Sequence, residues 1–113
     1  MIVENETYVI YGCTTKINSI NTVLSQDIPR IYGIQKNNIF FIMHFYVPIS
    51  IRGKGLGTQL LVKIIEICKK NGCRRIDVDD MTDNFRKPNN IYIKNGFVYS
   101  SIDGPEMYMT LKN

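Results

Sequence analysis

The chain is 113 residues long, which leaves room for one domain, residues 1–113, built around one core, and too little for two independent units. Hydrophobic residues make up 44% and charged residues 21%, ordinary proportions for a globular protein, so neither a disordered chain nor a membrane protein is expected. The formal net charge of +4 suits an anionic partner, either a nucleic acid or a phosphate-bearing cofactor, and charge alone does not choose between them.

The first six residues have neither the basic start nor the apolar run of a secretory signal, and a cytoplasmic location is the expectation. Cys13, Cys68 and Cys73 lack the paired spacing of a metal site, so three reduced thiols and no metal are expected. Residues 7–11 and 30–34 read as short strands, with Asp27-Ile28-Pro29 turning the chain before the second. Between them, residues 14–24 carry the spacing of a weak helix. Asn37-Asn38 marks a turn, after which residues 39–47 are β-branched and aromatic on both faces, the pattern of a central strand buried on each side. The apolar stretch of residues 39–51 is broken by His44, Pro48 and Ser50 and is shorter than the roughly 20 residues of a membrane span.

From Leu56 onward, Leu60, Leu61, Ile64, Ile65 and Cys68 recur at helical spacing, with Gln59, Lys63, Glu66, Lys69 and Lys70 opposite, which predicts an amphipathic helix of about four turns ending at Gly72. Residues 75–79 alternate as a strand. Pro88 suits a first helical position, so residues 88–95 read as a short second helix stopped at Gly96. Residues 97–100 and 107–111 close the chain as strands around Asp103-Gly104-Pro105. A strand, helix, strand unit followed by a helix and strands gives an α/β domain with a mixed sheet.

Between the central strand and the long helix stands Arg52-Gly53-Lys54-Gly55-Leu56-Gly57. Glycines there let backbone N–H groups approach an anion, the helix N-terminus adds about half a positive charge, and Arg52 and Lys54 add formal charge beside it. The dinucleotide fingerprint begun at Gly53 needs a glycine where Thr58 stands, and the P-loop needs a Gly-Lys-Ser/Thr ending that is absent.

This loop resembles the R/Q-x-x-G-x-G/A pattern of the GNAT superfamily of N-acetyltransferases at Arg52, Gly55 and Gly57. A second motif of that family, Y-x-K-x-G-F, is matched by Tyr92, Lys94, Gly96 and Phe97, and the resemblance covers about residues 39–111. It implies a mixed twisted sheet with one long and one short helix after the central strand. It further implies acetyl-CoA as cofactor, with the pyrophosphate on Arg52, Gly53, Lys54, Gly55, Leu56, Gly57 and Thr58 and the pantetheine arm paired with the strand around Phe45 and Val47. Tyr92 matches the family's proton donor to the departing thiolate, and the implied reaction is direct attack of a primary amine on the thioester. Only 51 positions precede Arg52, so a reduced or open acceptor side is expected.

The base is less defined. Asp79 and Asp80 end the strand beside the glycine loop and are the carboxylate candidates, while His44 titrates in the useful range but reads as a hydrogen-bonded strand residue. Asp77, Asp79, Asp80 and Asp83 place four of the ten carboxylates within seven residues, which points to a cationic acceptor, a polyamine or a lysine-bearing peptide. Two other readings stay open at this point: an acyl-CoA-binding protein without catalysis, and a small basic RNA-binding module drawing on seven Tyr and five Phe. The acetyltransferase reading takes a small-molecule or peptide amine as partner, with no nucleic acid and no membrane, and exposed strands leave room for a homodimer.

Overall fold

The computed structural model describes residues 7–11, 29–53 and 55–111; the predicted helical stretch of residues 14–24, Cys13 and Lys54 lie outside the described residues. Strand β1 (Thr7–Tyr11) pairs antiparallel with β2 (Arg30–Lys36), and β2 with β3 (Ile39–Tyr46). The β2–β3 connection is Asn37-Asn38, with φ of 54° and 65°. Two left-handed residues make the hairpin turn whose twist matches its strands, and Asn tolerates that region better than most side chains.

A 3₁₀ turn at Ile49–Ile51 leads to helix α1 (Leu56–Lys70), which crosses back to β4 (Arg75–Asp79), parallel to β3. Helix α2 (Ile91–Lys94), β5 (Val98–Tyr99) and β6 (Glu106–Thr110) complete the chain, and the strands stand in the order β1-β2-β3-β4-β6-β5. Parallel strands need a crossover, and α1 supplies it. Its buried stripe of Leu60, Leu61, Ile64 and Cys68 lies in one core cluster with Phe40, Ile42, Ile76 and Val78. Each of the larger side chains contributes roughly 2 kcal/mol by leaving water, which is why a 15-residue helix with ordinary propensities is stable here. The helix ends as predicted: Cys73 N–H donates to the Cys68 carbonyl at 2.9 Å and Gly72 N–H to that of Lys69 at 3.2 Å, with Gly72 at φ 79°.

Strand β3 departs from the sequence expectation in two ways. It is not buried on both faces: Phe40 and Ile42 are buried, whereas Phe41 is 40% and Met43 55% exposed. Successive side chains alternate faces, and α1 packs on one of them. The strand also contains a bulge, because Tyr32 pairs with His44 and Gly33 with Ile42, leaving Met43 as an extra residue. Gly33 is required opposite it, since a Cβ there would stand 2.0 Å from the Phe41 carbonyl oxygen. The extra residue shifts the alternation by one, so Phe45 and Val47 join Phe40 and Ile42 against the core while His44 stacks on Tyr32.

The pairing of β3 with β4 covers only Ile39–Ile42 against Arg75–Val78, although β3 continues to Tyr46. Beyond the bulge the two parallel strands part at their carboxyl ends. Among the described residues, the edge of β3 around Phe45 therefore has no strand paired with it on the β4 side.

Candidate active site

A cleft of about 600 Å³ opens where the strands part. On one side stand Phe45 of β3 and Val47 just after it, and on another the residues that open α1: Arg52, Gly53, Gly55, Leu56, Gly57 and Thr58. The loop after β4 contributes Met81, Thr82, Asp83, Asn84 and Asn89, and α2 contributes Ile91, Tyr92 and Lys94. The structure thus brings together Tyr92 and every predicted cofactor residue that it describes, whereas Asp79 and Asp80 are not among the lining residues.

Gly55 is the N-cap of α1 in the left-handed conformation, φ 80°, and no side chain caps the helix. The first intrahelical bond runs from Gln59 N–H to the Gly55 carbonyl at 3.0 Å, so the N–H groups of Leu56, Gly57 and Thr58 have no acceptor within the helix. No acidic residue stands in that first turn. Backbone donors at the positive end of a 15-residue helix, opening onto a cleft, suit an anion. Arg52 is exposed at the rim, its Nε donating to the Val47 carbonyl at 2.8 Å, which ties the end of β3 to the loop.

Tyr92 is 4% exposed yet lines the cleft. Its second motif has a structural explanation. The N–H of Phe97 donates to the Tyr92 carbonyl at 3.0 Å and that of Gly96 to the Ile93 carbonyl at 3.2 Å, with Gly96 at φ 98°. This is the left-handed helix ending in which the third-last helical residue and the one after the glycine make an apolar contact, here Tyr92 and Phe97 with ring centroids 5.6 Å apart. Phe45 packs edge-on at 6.0 Å from the same ring. Burial, reinforced by the charge of Asp80, pushes the Tyr92 hydroxyl well above the ordinary tyrosine range, so it stays protonated throughout neutral pH.

The start of α2 differs from the sequence expectation. Pro88 is not its first residue; it occupies the second position of a turn closed by Asn90 N–H to the Lys87 carbonyl at 3.0 Å, a place its fixed φ also suits. Asn90 caps the helix, its side chain accepting from the N–H groups of Tyr92 and Ile93. Strand β5 is correspondingly short, because Phe97 serves the helix end.

The acidic run disperses. Asp77 is held by Arg75 in a two-point ion pair at 2.8 and 3.1 Å. Asp79 is exposed and pairs in register with Glu106 across β4 and β6. Asp80 is 3% exposed and accepts hydrogen bonds from Thr82, Asn90 and Tyr99. Burial pushes its pKa up, but the bonds from Thr82, Tyr99 and Asn90 outweigh burial and hold it below the usual carboxylate range. A carboxylate so stabilised is a poor proton acceptor, which weighs against Asp80 as a base. Only Asp83 of the four lines the cleft. His44 accepts from Arg30 Nε at 3.0 Å, and burial together with the Arg30 charge lowers its pKa. Among the described residues no helix is long and apolar enough to cross a membrane, and no cluster of three or more metal-ligating side chains occurs.

The acetyltransferase (GNAT) family model matches residues 7–97. Among solved structures, the PaiA N-acetyltransferase of Thermoplasma acidophilum in complex with coenzyme A is 23% identical, with a TM-score of 0.64 over 74% of this chain and 54% of that one. A GNAT-family acetyltransferase of Staphylococcus aureus Mu50 is 25% identical, with a TM-score of 0.60 over 74% and 60%. An acetyltransferase of Bacillus cereus ATCC 14579 is 22% identical, with a TM-score of 0.67 over 93% and 74%. The chain spans 54% and 60% of the length of the first two of these structures. No curated protein matches it. The matched residues cover most of the chain, and the chain belongs to the GNAT acetyltransferase family.

Proposed function

We propose that this GNAT-family chain binds acetyl-CoA in the cleft between β3 and β4 and transfers the acetyl group to a primary amine. The observation that carries the reading is the convergence on one cleft of a strand edge that β4 does not cover, a helix N-terminus without a side-chain cap, and a buried tyrosine. The edge of β3 beside Phe45 and Val47 suits an extended amide-bearing arm, which would add to the sheet as a further strand does. The N–H groups of Leu56, Gly57 and Thr58, with Arg52, would hold the pyrophosphate.

In the reaction the neutral amine nitrogen forms a bond to the acetyl carbon as the carbon–sulfur bond breaks, the nitrogen gives up one proton to solvent to become the amide, and the departing sulfur takes up a proton from a donor that solvent then reprotonates. That Tyr92 is protonated and buried at the cleft wall supports it as the donor of that proton. Before attack the amine must be neutral, which costs roughly 4–5 kcal/mol at pH 7 for a lysine-like pKa. Among the described lining residues Asp83 is the one carboxylate and no histidine occurs, so that proton would leave to water or by way of Asp83. Asp83 would give a cationic acceptor, such as a polyamine or a lysine-bearing peptide, a carboxylate to pair with in a cleft whose other charged lining residues are Arg52 and Lys94.

The test is a thiol-release assay with acetyl-CoA over polyamines, amino acids and peptides. Tyr92→Phe is expected to lower kcat by roughly 10²-fold while leaving acetyl-CoA affinity unchanged. Asp83→Asn is expected to raise KM for cationic amines, an effect that fades at high salt. Unchanged kcat in Tyr92→Phe returns that residue to packing, and equal rates on neutral and cationic amines remove the role of Asp83.

A further inference from the structure

Asn90 belongs to neither motif and does not line the cleft, yet it is fully buried, and its side-chain amide is bonded at both ends. Its Oδ1 accepts from the N–H of Tyr92 at 2.8 Å and of Ile93 at 3.2 Å. Its Nδ2 donates to Asp80 Oδ2 at 2.8 Å, to Thr82 Oγ1 at 3.1 Å and to the Asn84 carbonyl at 3.1 Å. Asp80 accepts in addition from Thr82 N–H at 3.0 Å, from Thr82 Oγ1 at 2.6 Å and from the Tyr99 hydroxyl, which itself accepts from Arg86 N–H at 2.8 Å. One connected set of polar groups therefore ties the end of β4, the loop that forms a cleft wall, and β5 to the first turn of α2.

That turn needs outside support. With four residues, α2 is a single turn, and forming the first turn of a helix is unfavourable by a factor on the order of 10³ before further bonds accumulate. The cap at its start and the Phe97 contact at its end are what hold it, and Tyr92 is its second residue. Asp80 and Asn90 are both almost without solvent contact, so their bonds are not traded for water.

We infer that Asn90, anchored by Asp80, is the positioning residue of Tyr92, fixing the turn that carries the phenol and with it the reach of that hydroxyl into the cleft. The inference rests on the reading of Tyr92 as proton donor given above. It assigns to Asp80, a carboxylate that the sequence offered as a base, the work of holding the proton donor in place.

The experiment is a double-mutant cycle between Asn90 and Tyr92, read by kcat and by calorimetric acetyl-CoA affinity. Asn90→Asp keeps the capping oxygen and removes the amide donors, with their contacts to Asp80, Thr82 and Asn84. It is expected to lower kcat about 10-fold with acetyl-CoA affinity within about twofold, and to add nothing to the loss already caused by Tyr92→Phe. The variant places a second carboxylate against Asp80, and the two can share a proton at lower pH, so its kcat relative to the parent should rise from pH 8 to pH 6. A second variant, Asp80→Asn, enters the same cycle without adding a charge and is expected to show the same non-additivity. The inference is overturned if the loss persists in the Tyr92→Phe background, if affinity falls in place of kcat, or if neither variant loses activity. Full kcat in Tyr92→Phe alone would instead remove the donor reading, and this inference with it.

Discussion

Gly57 offers a graded probe of the cleft, because its surroundings differ from those of the other glycines of the loop. A Cβ added at Gly53 or Gly55 would meet nothing within 4 Å. At Gly57 it would meet Ile91 Cδ1 at 3.1 Å, Phe45 Cζ at 3.6 Å and Val47 Cγ2 at 3.6 Å, the three side chains that wall the cleft beside β3. Only the Ile91 contact is tight, and it is to the end of a side chain that can turn. Alanine in place of glycine gains up to about 1 kcal/mol of helix propensity, which offsets the small displacement of Ile91. Gly57→Ala is therefore expected to raise Tm by a few degrees and to leave acetyl-CoA affinity within about threefold, consistent with the G/A alternative at this position of the family pattern. Gly57→Val adds two methyl groups with no free direction. Overpacking of that kind costs about 1–3 kcal/mol, and the side chains displaced are the cleft's own walls, so a Kd increase of at least about 10-fold is expected. Calorimetry and thermal unfolding on the two variants decide it. Parental affinity in a folded Gly57→Val protein would refute the placement of the cofactor along Phe45 and Val47.

Arg52→Ala is expected to weaken acetyl-CoA binding by several-fold at low salt and by less at high salt, since the side chain is exposed and its charge is screened; a salt-independent loss would point instead to the lost tie to the Val47 carbonyl. Stability is expected to fall above about pH 9, because burial raises both the Tyr92 hydroxyl and the Cys68 thiol. Below their ordinary values folded and unfolded chains bind these protons equally, whereas above them only the unfolded chain releases them, a slope of up to about 1.4 kcal/mol per pH unit for each group. Equal urea midpoints at pH 8 and pH 10.5 would contradict it.

Much of the frame was legible because each signal had a local cause. Apolar spacing from Leu60 to Cys68 set α1, Gly72 set its end, and Asn37-Asn38 set the hairpin. The Y-x-K-x-G-F motif was read as a resemblance, and its physical content is a helix ending that needs Gly96 left-handed and Phe97 on Tyr92. The bulge was not legible, since residues 39–47 are apolar on both faces and a slip in a period-two pattern leaves no mark there. Its one trace was Gly33 on the neighbouring strand. Asn90 was missed although Asn is a favoured N-cap, because Pro88 two residues earlier offered a competing start. The acidic run misled for another reason: charge in sequence does not say which carboxylate is ion-paired, as Asp77 is, or enclosed by donors, as Asp80 is.

Amide chemical shifts recorded while acetyl-CoA is titrated into the ¹⁵N-labelled protein test the central claim most directly, because backbone N–H groups are the proposed ligands. The largest changes are expected at Leu56, Gly57 and Thr58, in the first turn of α1, with a second group at Phe45 to Val47, where β3 runs on beyond its pairing with β4. Saturable binding whose shifts left both segments unmoved, or no binding at millimolar acetyl-CoA, would contradict the account.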